Sequence, residues 1–154
     1  MKHAICLAFA ASLLASAAAS AADVRIAEIR AYLWLERSGK LSANLVGSKE
    51  ALFNTVVGEG SAGEPASNVL VEIVLAGDKN SAPKYASAIV NLTQSGKGGQ
   101  KSVTKKGLGG FLFGESGTVH KALFLENATC APLEIEVKVG KAVKSAKLDF
   151  QCGE

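Results

Sequence analysis

The 154-residue sequence predicts an all-β fold. Apolar residues alternate with polar ones at period two, glycines gather between the apolar segments, and no apolar pattern of helical spacing runs far.

The first element shows the alternation well. Ala27, Ile29, Ala31, Leu33 and Leu35 share one parity, with Glu28, Arg30 and Glu36 on the other. Tyr32 and Trp34 fall on the charged side, so that face carries aromatic surface or is covered. After Ser38-Gly39-Lys40, residues 41–46 read as a second strand. Residues 48–57 are ambiguous: Ser48 suits a helix cap, whereas Thr55 to Val57 favour a strand. Gly58 to Pro65 is a loop. Val69 to Leu75 is almost wholly apolar and reads as a central strand.

Residues 86–93 form another strand, with a loop over 94–100. Weaker strands are expected at 101–105 and 110–113, and a good one at 118–126. The last two segments make the clearest pair. Leu133, Ile135, Val137 and Val139 alternate with Glu134, Glu136 and Lys138. The Gly140-Lys141 turn then sets Val139 against Ala142, Ile135 against Ala146 and Leu133 against Leu148. About seven to nine short strands point to an immunoglobulin-like antiparallel β-sandwich, with a small β-barrel as the alternative. Trp34 precedes both later cysteines, so the Cys–Trp–Cys order of a true immunoglobulin domain is absent.

The chain begins with the build of an export signal. Met1-Lys2-His3 is basic, Ala4 to Ala19 carries no charge, and small residues stand at Ser20 and Ala22. A membrane-spanning helix needs about 20 apolar residues, and this run is shorter and rich in alanine. Residues 1–22 are therefore expected to be a cleavable signal peptide. Residues 23–154 are expected to be one domain, periplasmic or secreted, with no transmembrane segment. Cys6 leaves with the leader. Cys130 and Cys152 remain and predict one disulfide in an oxidising compartment. Closing a loop of about 22 residues would stabilise the fold by roughly 3 kcal/mol.

Charge is nearly balanced. The chain has 17 Lys and Arg, one of them Lys2 in the leader, against 14 Asp and Glu. No concentrated basic stripe marks a nucleic-acid partner.

Sites for catalysis are scarce. His3 belongs to the leader, so His120 alone could serve a Ser-His or Cys-His apparatus, and no Gly-x-Ser-x-Gly elbow accompanies it. His120 reads as a strand residue at the surface. One histidine and no methionine beyond Met1 remove the usual zinc and copper ligand sets. No cofactor is expected. Glu59 and Glu64 flank a glycine-rich turn near Asn54, Ser61 and Asn68, which allows a loose calcium loop, but no Asp-x-Asp pattern supports one and a solvated connecting loop is the simpler reading. Glu134 and Glu136 lie two apart on one strand, roughly 7 Å from each other. Their neighbours Lys138 and Lys144 make a soluble outer face the simpler reading than a carboxylate pair.

Lys97, Lys101, Lys105 and Lys106 make a basic, glycine-bearing segment that could touch an anionic partner. The expectation is a non-enzymatic exported binding protein whose partner is a protein or a cell-envelope polymer. Its candidate contacts are Tyr32, Trp34, Glu59, Glu64 and the four lysines. The alternatives are a small-ligand carrier with a cavity between the sheets, and a histidine-free hydrolase using Glu59 and Glu64.

Overall fold

In a computed structural model, described for residues 23–49, 52–55, 58, 60–83, 85, 87–95 and 101–151, the chain is all-β. Ten strands follow in order: β1 (Arg25–Leu35), β2 (Lys40–Leu41), β3 (Leu52–Phe53), β4 (Asn68–Ala76), β5 (Ser87–Ser95), β6 (Lys101–Gly109), β7 (Thr118–Leu125), β8 (Leu133–Val139), β9 (Ala142–Leu148) and β10 (Phe150–Gln151). They form two four-stranded antiparallel sheets, β2-β1-β4-β7 and β6-β5-β8-β9, and a short parallel pair, β10-β3. No helix occurs among the described residues.

Period-two alternation puts one face of β1, β4, β5 and β8 into a common core. Ile29, Ala31 and Leu33 from β1 meet Val69, Val71, Ile73 and Leu75 from β4. Facing them are Ala88, Val90 and Leu92 of β5 and Leu133, Ile135, Val137 and Val139 of β8. Each large side chain buried this way contributes about 1.5–3 kcal/mol relative to exposure.

The parity of β1 changes once. A bulge between Ile26 and Glu28 breaks its register with β4, so Ala27 is exposed and Ile26 packs against the core instead. An extra residue bends a strand, and here the start of β1 reaches β9, where Lys144 Nζ donates to the Ala27 carbonyl at 2.6 Å. On β9 Lys144 shares the parity of Ala142, Ala146 and Leu148, so it points towards the other sheet and not into the outer face with Glu134 and Glu136. Lys121 does the same from β7. Its Nζ donates to the Gly109 and Gly110 carbonyls at 3.0 and 3.1 Å and lies 6.0 Å from the centre of the Phe111 ring.

The expected hairpin is present in the expected register, with Val139 opposite Ala142, Ile135 opposite Ala146 and Leu133 opposite Leu148. Gly140 turns it at φ 57°, and a Cβ there would collide with the Tyr85 ring. Two other expectations are corrected. Residues 41–46 form a ladder only at Lys40–Leu41; beyond it the Ser42 and Asn44 side chains accept from the Leu33 and Ala31 amides, replacing backbone partners. The weak strand expected at 101–105 is present but runs on through the basic segment to Gly109 as one nine-residue strand, β6, pairing with β5 from Ser87↔Gly109 to Ser95↔Lys101. Residues 111–113 are a loop whose Phe113 bridges to Ser81.

The connection from β7 to β8 is held by Gln94, which is 6% exposed. Its carboxamide nitrogen donates to the Thr129 and Ala131 carbonyls, and its oxygen accepts from the Thr129 amide. Cys130, half-buried, sits between the two clamped residues. Cys152 and residues 1–22 lie outside the described residues, as do Glu59 and Lys97. No helix of the described residues is long and apolar enough to cross a membrane.

Candidate functional site

The first sheet turns a band of aromatic and aliphatic side chains outward. On β1, residues 28, 30, 32 and 34 point away from the core because 29, 31 and 33 point into it. Trp34 lies between Leu41 and Asn68, and Tyr32 lies beside Leu70, which in turn faces Phe124. Leu41 is 43% exposed and Phe124 51%, while Tyr32, Trp34 and Leu70 are half-buried. The Tyr32/Trp34 face expected from parity is therefore an apolar patch of five side chains drawn from four strands.

A polar cluster centred on Glu72 borders this patch. Glu72 sits between Arg30 and Ala122 on the next rung, and His120 lies one rung further, opposite Val74. The Tyr32 hydroxyl donates to Glu72 Oε2 at 3.1 Å, and His120 Nδ1 is 2.7 Å from Glu72 Oε1. Arg30 reaches Glu72 at 3.5 Å and Glu28 at 2.6 Å. The His120 hydrogen bond first, and then those of Tyr32 and the Arg30 charge, hold the Glu72 carboxyl below the usual carboxylate range. Burial, followed by the adjacent Glu72, pushes the Tyr32 phenol up. A depression of about 360 Å³ opens here, lined by Tyr32, Leu41, Leu70, Glu72 and His120 among others.

Chemically, a carboxylate at Nδ1 orients the imidazole and leaves Nε2 uncommitted to it. No hydroxyl or thiol nucleophile is bonded to His120 among the described residues. The arrangement is a polar border of mutually answering charges beside exposed aromatic surface.

The outer face of the second sheet holds a larger depression, about 740 Å³, lined by Asn91, Thr93, Val103, Glu134, Glu136 and Lys147 among others. Glu134 and Glu136 do share this face. Glu136, however, accepts from Asn91 at 3.0 Å and pairs with Lys138 at 2.9 Å, and Glu134 stands opposite Lys147. Its charges largely answer one another, and it carries no aromatic anchor.

The remaining expected site residues are dispersed. Glu64 accepts from the Arg37 and Ser38 amides and from the Ser38 hydroxyl, all at 2.8 Å, and so fastens its loop onto the turn after β1. Ser38 is the main reason its carboxyl is held below the ordinary range. Ser61 accepts from the Phe53 amide, and Asn68 accepts from the Asn127 amide; these groups do not converge on one point. Lys101, Lys105 and Lys106 are exposed along β6, far in strand order from Tyr32 and Trp34.

Sequence reading found Tyr32 and Trp34 and missed Arg30, Leu41, Leu70, Glu72, His120 and Phe124. The available signal was Glu72 itself, a lone charge in an otherwise apolar strand. No protein-family model, curated protein or solved structure matches the chain.

Proposed function

We propose that the chain is an exported, non-enzymatic binding protein that docks a partner protein on the outer face of its first sheet. The observation that carries this reading is the patch of Tyr32, Trp34, Leu41, Leu70 and Phe124 beside the Glu72 cluster. Aromatic residues and arginine anchor protein interfaces disproportionately, and contiguous exposed apolar surface marks contact sites.

Export, to a periplasm or outside the cell, is supported by the basic start, apolar run and small-residue exit of residues 1–22. The fold that fits is an immunoglobulin-like sandwich. With β1, β4 and β7 as strands A, B and E, and β6, β5, β8 and β9 as C′, C, F and G, the two sheets follow that order of connection. A Cys130–Cys152 bridge suits the same compartment. Mass measurement before and after reduction and alkylation tests it.

Against the hydrolase alternative stands the use of Glu64, whose three accepted hydrogen bonds hold it ionised in a turn. A carboxyl so held is a poor general acid. The depressions described above open on outer faces, which favours a surface contact over a carrier with a cavity between the sheets.

Crosslinking in the native host, followed by capture of tagged protein, tests the proposal. A specific exported partner, retained by the parent and lost from Leu41→Glu and Phe124→Glu variants, supports it. Equal capture by parent and variants would overturn the assignment to this face.

A further inference from the structure

We infer that β6 is a second docking edge, independent of the aromatic face, which takes up an acidic, extended polypeptide strand by β-augmentation. Four strands border the two sheets, and they differ in how their open edges are occupied. β2 is only two residues long. From β7, Lys121 turns inward and is tied to the Gly109 and Gly110 carbonyls. On β9, Lys144 is tied to the Ala27 carbonyl and Lys147 pairs with Asp149 at 2.6 Å. β6 is different. It is nine residues long, bonds among the described residues to β5 on one side only, and carries Lys101, Lys105 and Lys106 with no acidic residue. None of the three lysines takes part in an ion pair among the described residues.

An open edge offers a row of amides and carbonyls to any extended chain; lysines along it repel basic strands and give neutral ones nothing to offset the desolvation of their charges. The same charges attract a strand bearing carboxylates, so the row selects a partner by excluding others. Strand periodicity puts Lys101 and Lys105 on one face and Lys106 on the other. An antiparallel guest therefore needs acidic residues opposite all three, two adjacent and one four positions on. β6 is exposed on nearly all its residues, and Val103 is 61% exposed, which leaves room for a guest strand's side chains on both faces. Main-chain bonds supply affinity in this mode, and the flanking side chains supply choice.

Fluorescence anisotropy with the exported, purified protein tests this. The probe is a labelled nonapeptide, Thr-Val-Thr-Glu-Glu-Val-Thr-Val-Glu, blocked at both ends. Two further versions carry N-methyl groups on alternate residues, in opposite phases. Saturable binding of the parent peptide is expected, with at least tenfold loss in one methylated phase and retention in the other, because only one phase removes the amides that face β6. A Lys-for-Glu peptide should not bind the parent protein, and Lys105→Glu should weaken the acidic peptide at least several-fold while leaving the far-ultraviolet circular dichroism unchanged. Absence of saturable binding overturns the inference. Equal binding by both methylated phases overturns it too, since an anionic polymer or lipid surface would be attracted to the lysines without using the main chain. Phe124→Glu should leave peptide binding unchanged, which separates this edge from the aromatic face.

Discussion

Glu72 shows how one side chain can organise a surface. It collects the Tyr32 hydroxyl, the His120 ring and the Arg30 guanidinium from the strands on either side of its own. Because its folded pKa lies below the ordinary carboxylate value of about 4.3, its contribution to stability is present above that value. It is lost as pH falls through the lower, folded value. Replacing Glu72 with Gln should cost about 1.5–3 kcal/mol near neutral pH, the range for hydrogen bonds to charged groups. The gap between variant and parent should close as the pH drops below about 4. Urea titrations at several pH values would show this, and a gap that stayed constant down to pH 3 would mean that the carboxylate charge is not what the cluster stabilises.

At the scale of elements, the segment after β1 shows side chains completing a sheet. Asn44 Oδ1 accepts from the buried Ala31 amide and also from Val46, at 3.1 and 3.2 Å. Asn44→Ala should therefore destabilise the fold by about 1–3 kcal/mol, since the Ala31 amide loses its partner where water cannot replace it. Asn44→Asp, which keeps the acceptor, should recover much of that loss. Equal denaturation midpoints for the Ala variant and the parent would contradict this account of the β1 border.

The same segment explains what alternation does and does not reveal. Leu45 is buried as a strand residue would be, so the hydrophobic pattern of residues 41–46 was legible, whereas the exchange of backbone partners for Ser42 and Asn44 was not. The β8–β9 register was legible completely, because a two-residue turn leaves no freedom to slip. β6 was legible only over 101–105 and not on to Gly109, since a strand exposed on both faces carries little alternation to read. Tyr32 and Trp34 could be found from parity along one strand. The contact of His120 with Glu72 spans 48 residues and depends on the β4–β7 register, which no local pattern carries.

Taken as a whole, the molecule is assembled from distant pairings. β1 pairs with β4, β4 with β7, and β5 with β8, so most of the first sheet, and the joining of the two hairpins of the second, form only after long loops have closed. Refolding should fall in the millisecond-to-second range common to such topologies. Stopped-flow fluorescence of Trp34, the one tryptophan, measures it, and microsecond refolding would show that local structure dominates.

Gln94 has a bearing on any crosslink made in such a fold. It anchors both neighbours of Cys130 with three hydrogen bonds, so this sulfur is delivered by non-covalent packing. In the bridge proposed to Cys152, the Cys130 arm is held in place by these hydrogen bonds before any covalent bond forms. The bridge would fasten an arrangement that Gln94 had drawn up in advance.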